Sequence, residues 1–480
     1  MKKIKYTIIA LSTLIVLFNT SCKKQLDIKP ESNVEADLAI KNSKDVEGIL
    51  IGAYTAASLR GIYGGRLQAT TEFLANDGDF TFYGTYSEYT ELSNQAPTIT
   101  NAFVSDLWNA GFNTIGVCNT VLAHLNLVDT AKGKRVRVEA EAKFLRGMTY
   151  FDLARSFGRA WNDSHGSPAT NPAVPIVLTP TTTIPGIQKP SRSTVAQVYA
   201  QAISDLTAAE ANLKVAKSTY ASSSAASAIL ARIYLTQENY TLAETEATKI
   251  IAALNSTGKP LYTLVNLFSD EFQYPGQATH VFNTTEDIFA IQMSSQSGFN
   301  ALNEIFASAD FGGRSETYIN QQHFDRYEAN DSRLNEFYDE DGLGDILTSK
   351  FNNQYGNVVL IRLAEIYLIR AEARIKKGAQ DLSGAAMDID VVRSRAGLKG
   401  TTAASAADLF DAVKKERRVE LAFEGFRLFD LKRYKESLQL YDNNGDPSGK
   451  IDWDSPKLVY PVPKRERDTN PNLTQNEGYQ

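Results

Sequence analysis

Two glutamates one helical turn apart, Glu416 and Glu420, sit close in sequence to Arg417, Arg418 and Arg427. Leu409, Val413, Glu416, Glu420 and Phe423 recur at alternating spacings of four and three, which puts them on one side of a helix. That side is apolar at both ends and acidic in the middle. Ser405, three residues before Asp408, supplies the start signal of a capping box. Two chemistries use such a face. One is a catalytic pair of carboxylates, which in glycoside hydrolysis must oppose each other across a cleft. The other is a buried ion network that fixes how the helix docks, because a carboxylate leaves water only with cationic partners. The neighbouring arginines favour the network, with Arg417, Arg418 and Arg427 as its expected cations.

Other chemistry is sparse. The chain has no GxSxG elbow, Walker A loop, HExxH helix or GxGxxG turn. Its four histidines, His124, His165, His280 and His323, are scattered without ligand spacing, so no zinc site is expected. Two acidic turns, 339–342 and 442–446, lack the EF-hand ligand register and read as solvated turns. No metal or other cofactor is expected, and no catalytic residue is assigned. A formal charge of −6 leaves no basic footprint for nucleic acid. Of two cysteines, Cys22 and Cys118, the second has no partner within the body of the chain and reads as a small buried side chain.

The elements that carry these residues are mostly helices. At the N-terminus, Lys2, Lys3 and Lys5 precede an apolar run from Ile8 to Phe18 that is short for a membrane span. Asn19-Thr20-Ser21-Cys22 follows, similar to a bacterial lipobox, so residues 1–21 read as a lipoprotein signal peptide and 22–31 as a lipid-anchored linker. The body, 32–480, opens with a helix over 43–59. Helical pairs are expected near 104–157, 194–254, 359–395 and 406–434, the second opened by a capping box at Thr194 and Gln197. Leu360, Leu363, Ala364, Tyr367, Leu368 and Ala371 are taken together as one helical stripe. Small alanines at the contacts suggest tetratricopeptide-like units. Long inserts at 60–100, 158–193, 256–357 and 435–480 interrupt them and form a loop-rich irregular lobe, with one strand expected over 287–293. The fold class is therefore mainly α.

Several of these stretches resemble one family. The sequence from Glu416 to Tyr434, ERRVELAFEGFRLFDLKRY, is similar to the C-terminal hallmark of the SusD/RagB family, surface glycan-binding lipoproteins of Bacteroidetes-type bacteria. Residues 139–153, the Ala-rich segment 224–235, the Asp331/Arg333 turn, the run 362–373 and the closing 461–476 resemble further family motifs in the family's order. The resemblance implies four tetratricopeptide-like units with a variable lobe. It implies a lipid-anchored protein on the outer membrane, facing the cell exterior. It also implies a SusC-like TonB-dependent transporter as partner, and capture of an oligosaccharide, or in some members a peptide, without chemistry on it. Ligand contacts in the family come from the aromatic loop after the first helix and from the large central insert. Carried over by position, the candidates are Asp77, Tyr83, Tyr86 and Tyr89, and Phe299, Phe311, Arg314 and Tyr318. Aromatic rings would cover sugar CH faces while Asp and Arg fix hydroxyl edges. The three tryptophans, Trp108, Trp161 and Trp453, lie outside both regions.

Two rival readings remain open at this stage: a surface glycoside hydrolase of the same compartment, and a tetratricopeptide-type adaptor for a protein partner. The lipobox reading carries its own test. Cys22→Ala, expressed in a lipoprotein-processing host, is expected to lose labelling by radioactive palmitate and to leave the membrane fraction; retained label would refute the assignment.

Overall fold

The computed structural model describes residues 40–181, 188–276, 279–296, 298–442 and 444–480. The signal segment, Cys22 and the linker lie outside the described residues. Among these residues no helix is long and apolar enough to cross a membrane. In chain order the helices are α1 (Ser43–Ser58), α2 (Arg66–Leu74), α3 (Ser87–Ser93), α4 (Ala102–Ala123), α5 (Lys134–Phe157), α6 (Val195–Asn212), α7 (Ser223–Thr236) and α8 (Tyr240–Ile251). They continue with α9 (Ala301–Phe306), α10 (Gln321–Phe324), α11 (Leu363–Lys376), α12 (Leu382–Arg395), α13 (Ala406–Glu420), α14 (Arg427–Tyr434) and α15 (Lys464–Thr469). The strands are β1 (Phe80–Phe82), β2 (Asp287–Ile291), β3 (Thr317–Ile319), β4 (Phe337–Asp339), β5 (Ile346–Thr348), β6 (Val358–Arg362), β7 (Leu438–Tyr441) and β8 (Pro447–Ile451).

The long helices pack each on the next, α1 on α4, then α5, α6, α7 and α8, and on through α11, α12 and α13. The fold is mainly α, built from tetratricopeptide-like helical pairs. Local signals set its boundaries. Thr194 and Gln197 exchange side-chain and backbone hydrogen bonds at the start of α6, a complete capping box. The Ser405 hydroxyl accepts from the Asp408 amide at 3.1 Å at the start of α13. Across the α5–α6 contact the buried Arg146 guanidinium donates two bonds to Asp205, both 2.8 Å, and a third to Asn119 of α4 at 2.8 Å. A bidentate pair of this kind fixes both distance and rotation between helices.

The strands form four two-stranded antiparallel sheets, β1–β3, β2–β6, β4–β5 and β7–β8. Three of them lie within the central insert or join it to another segment, β1–β3 to the 60–100 insert and β2–β6 to the start of the next helix. Two expectations need correction here. Leu360 belongs to β6, not to the helix that follows, which starts at Leu363. Its apolar neighbours face the core as a strand paired with β2, and a short apolar run does not by itself tell strand from helix. The region after α1, read without regular structure, contains α2, all of whose residues are buried. Five of its nine side chains, Arg66, Gln68, Thr70, Thr71 and Glu72, are polar yet buried, so no clean apolar stripe marks it in the sequence. One apolar cluster runs through most of the protein, from Ile40 to Leu473. A smaller one, including Ile375, Ile389, Leu409 and Val413, sits among α11, α12 and α13.

Glu416 and Glu420 are buried and lie in an ion network, but not with the arginines nearest in sequence. Arg333 donates to Glu416 at 2.6 Å, to Glu420 at 3.0 Å, and to both carboxylate oxygens of Asp331 at 2.9 and 2.7 Å. Arg362 donates to Glu420 and Glu286 at 2.6 and 2.7 Å, and to both oxygens of Glu424 at 2.9 Å. Arg395 pairs with Glu286 at 3.1 Å and with Glu420, and Lys350 pairs with Glu424 at 2.7 Å. Arg417 instead turns to Asp430, and Arg418 and Arg427 turn to Asp77. Three cations focused on Glu420, chiefly Arg395, overcome its burial and hold it well below the ordinary carboxylate range. Phe423, expected on the same helical face, lies beyond the end of α13 with φ of 65°, and its ring packs on Phe306 and His323.

Removing one member of such a network strands the others. Arg333→Met is expected to destabilise the fold by about 3–5 kcal/mol in urea unfolding. Lys464→Ala, which cuts an exposed pair with Asp468, is expected to cost less than about 1 kcal/mol. Equal midpoints for the two variants would contradict the network's role.

Candidate functional site

Phe80, Phe82, Thr81 and Tyr83 alternate in direction along β1 and just beyond it. Phe80 pairs with Ile319 on the core side, while Thr81 pairs with Tyr318 on the opposite, half-exposed side. A strand points successive residues to opposite faces, so Tyr83 follows Thr81 outward and stands 71% exposed. The Tyr83 amide donates to the Glu316 carbonyl at 2.8 Å, extending the pairing by one step. Its ring then meets the Tyr318 ring at 5.8 Å between centroids, with planes inclined at 51°. Two segments more than two hundred residues apart thus build one aromatic platform.

Arg314 and Glu316 edge the platform. Arg314 donates to both Glu316 oxygens at 2.8 and 2.6 Å and to the Thr85 hydroxyl at 3.2 Å. Its guanidinium lies 4.7 Å above the Tyr86 ring. The hydroxyl of Tyr86 donates to Glu304 at 3.1 Å, which holds the ring in place beneath Arg314. Gly84 makes this packing possible: a Cβ there would come within 2.3 Å of Glu316 and 2.4 Å of the Phe82 ring. Partial burial, aided by the nearby carboxylates of Asp345, Glu340, Asp341 and Glu316, raises the pKa of Tyr318, so its phenol stays neutral and able to donate.

Beside Tyr83 opens a cleft of about 820 Å³. Its walls carry the amides of Asn76, Asn94, Asn320 and Gln322 and the rings of Phe82 and Tyr441. Several amides are held by backbone: Asn320 donates to the Gly78 carbonyl at 3.2 Å and Gln322 to that of Gly445 at 2.9 Å. Amide side chains offer both donors and acceptors, which suits hydroxyl-rich ligands.

The eight positions taken from the resemblance do not form one surface. Tyr83, Tyr86, Arg314 and Tyr318 come together. Tyr89 is 0% exposed and packs among Phe73, Phe82 and Phe103, so no ring face is open. Asp77 is buried and ion-paired with Arg418, Arg427 and Arg326. Phe299, 45% exposed, stands with Tyr355, and Phe311 packs between Tyr274 and Tyr338. Thr81, Glu316, Asn320 and Tyr441 escaped the sequence reading; only the period of two from Phe80 to Tyr83 pointed toward any of them. The two acidic turns spend their carboxylates on backbone amides. Asp339 accepts from Gly342 at 2.8 Å, and Asp442 accepts from Asn444 and Asp446 at 2.9 and 3.0 Å. Among the described residues no group of three or more His, Cys, Asp or Glu could hold a metal ion. Cys118 is fully buried, and that burial pushes its thiol up to about 12.

Behind the platform, Arg418 bridges Asp77 and Asp79, and the Asp79 carboxylate accepts from the His323 ring at 3.0 Å. Glu72 lies beside them and accepts from the Gly425 and Phe426 amides at 2.7 and 3.1 Å. Gly425, at φ of 87°, has no room for a side chain, since a Cβ would lie 2.7 Å from the Gln68 backbone.

Two family models match the chain, one described as the SusD family over residues 327–479 and one as "Starch-binding associating with outer membrane" over 24–235. SusD-like protein P2 of Formosa agariphila is 25% identical over the full length of both chains. A SusD superfamily protein from Bacteroides vulgatus has a TM-score of 0.78 at 22% identity, covering 92% of this chain and 100% of its own. A structure described as a laminarin binding SusD-like protein has a TM-score of 0.72 at 22% identity, again covering 92% and 100%.

Full burial raises the pKa of Glu72 from 4.5 to about 7, against the pull of Arg418. Between those values the folded chain keeps a proton that the unfolded chain has released, so this residue makes stability fall as pH rises from about 4.5 to about 7. Glu72→Gln keeps an acceptor for the two amides and loses the titration. Its urea midpoint is expected to gain on wild type as pH rises through that window; a constant difference would show that Glu72 stays ionised.

Proposed function

The chain belongs to the SusD family, and from that premise we propose that it is a cell-surface carbohydrate-binding lipoprotein that hands an oligosaccharide to a SusC-like TonB-dependent transporter. The observation that carries the reading is the exposed ring pair of Tyr83 and Tyr318 beside an amide-lined cleft. Pyranose rings have apolar CH faces and hydroxyl edges. Two inclined rings accept the faces of a bent glycan chain, while Arg314 and the cleft amides reach its edges. The family description of outer-membrane association and the laminarin-binding neighbour support the ligand class and the location. The lipid on Cys22 would hold the body at the membrane, since several acyl chains on one residue bind firmly at about 0.8 kcal/mol per buried CH₂.

Two acids beside the platform and its cleft are already engaged. Glu316 is held bidentately by Arg314, and Asp442 caps its own turn. This favours holding a sugar over cleaving it, because hydrolysis calls for two carboxyl groups facing one glycosidic bond.

Laminarin and maltoheptaose are the probes, read by isothermal titration. Tyr83→Ala and Tyr318→Ala are each expected to weaken binding of the accepted glycan about two- to tenfold, the worth of one aromatic contact at about 0.5–1.5 kcal/mol. Phe299→Ala is expected to leave affinity unchanged. Loss of affinity in Phe299→Ala alone would move the site to the Phe299–Tyr355 patch, and turnover of either glycan by wild type would overturn the binding role.

A further inference from the structure

Ile40, the first described residue, is 9% exposed and lines a groove of about 690 Å³. Trp108, Phe112, Ile115 and Asn119 of α4 line it at spacings of four and three, which is one face of the helix. Val177 joins them from the first insert and Leu473 from the closing segment. Gly116 also lines the groove, and a Cβ there would meet nothing within 4 Å, so the opening reaches bare helix backbone. Glycine inside a helix costs stability and is kept where another backbone must come close. The lining stretch of α4, Trp108 to Thr120, is about 18 Å long at roughly 1.5 Å per residue. An extended chain covers that distance with about six residues at roughly 3.3 Å each.

We propose that residues 34–39 of this same chain dock in the groove as an extended segment, with Val34, Ala36 and Leu38 against α4 and Glu35 and Asp37 toward solvent. The sequence before Ile40 has the pattern such a seat requires. Val34, Ala36 and Leu38 fall two apart in step with Ile40, and Glu35 and Asp37 alternate with them. An extended strand sends the apolar set one way and the acids the other. Ile40 already lines the groove, so it sets the register for the rest. Asn42, the cap of α1, has φ of −156° and ψ of 174°, so the chain enters α1 from extended backbone. Consecutive Cα atoms lie about 3.8 Å apart, so the residue before Ile40 starts at the groove. Covalent attachment there gives the segment a high effective concentration over any free competitor. The docking goes beyond the proposed function and does not depend on it. Joined to the lipid on Cys22 proposed above, it would cut the reach of the chain between membrane and body from about 60 Å to about 40 Å at full extension.

Hydrogen exchange read by mass spectrometry on the full chain tests the seat. Amides of residues 35–39 are expected to exchange at least about tenfold more slowly than those of residues 23–25, after correction for intrinsic rates. Leu38→Asp puts a charge on the docked face and is expected to abolish that protection, whereas Asp37→Lys, on the outward face, is expected to keep it. Gly116→Phe fills the groove from α4 and is expected to abolish the protection while exchange in α5 stays as in wild type. Leu38→Asp alters the occupant and not the groove, so it decides alone should Gly116→Phe not fold. Exchange of residues 35–39 as fast as that of 23–25 in wild type overturns the proposal and leaves the groove to another occupant, such as a lipid chain or a protein partner. Protection that survives Leu38→Asp, a loss in Asp37→Lys as large as in Leu38→Asp, or protection that grows with protein concentration, the mark of a second copy, overturns it as well.

Discussion

Glu420 and Arg362 form the contact on which the molecule's arrangement depends. Both are fully enclosed, and each needs partners from distant parts of the chain. Glu420 is met by Arg333, Arg362 and Arg395, while Arg362 is met by Glu286, Glu420 and Glu424. The charges come from β6, α12, α13, the turn at Asp331 and the segment before β2. A buried network of this kind contributes little net stability over an apolar core, because desolvation offsets most of the attraction. Its effect lies in the penalty for leaving it incomplete. Any docking of the central insert that misses one partner leaves a bare charge in a low-dielectric interior. The irregular lobe, poor in regular structure, is thereby held to one position on the helical scaffold.

The same helix then carries that constraint to the aromatic platform. Arg418, near the end of α13, and Arg427, at the start of α14, both grip Asp77. Arg418 also reaches Asp79, immediately before β1. Asp79 in turn meets His323 on α10, just after β3. The two strands that present Tyr83 and Tyr318 are therefore clamped at their buried ends by charges rooted in the network. Strands of three residues have little cohesion of their own. With both ends fixed, the rings meet at a defined angle, the kind of preorganisation that lowers the entropy cost of binding.

Much of the scaffold was legible in the sequence because helix caps and stripes are local. Thr194 with Gln197 and Ser405 with Asp408 announced their helices. The partners of Glu416 and Glu420 were not legible. Arg417 and Arg418 neighbour them in sequence but project from other sides of α13, and the arginines that do meet them arrive from other segments. The site shows the same limit. Tyr83 and Tyr89 look alike in a loop rich in aromatics, yet one stands open and the other is enclosed. Only the pairing of β1 with β3 separates them, and strands so short give almost no periodic signal. Asp77 read as a polar ligand contact because its three arginines lie hundreds of residues away.

The shape of the site bears on how a binding protein for an importer would work. A carrier that passes its cargo on must hold it firmly enough to select it and loosely enough to release it. Enclosing a sugar on all sides would raise affinity at the expense of departure, since most differences in affinity lie in the off-rate. Here the aromatic pair stands on the surface and the adjoining cleft is open, so a glycan bound as proposed on Tyr83 and Tyr318 would keep much of its hydration and a free path out. Rigidity lies underneath, in Arg418, Asp79 and the network behind them, and not in a cover over the ligand. If the proposed function holds, such a division would let selectivity come from the fixed angle of two rings while binding stayed moderate, as handover to a transporter would demand.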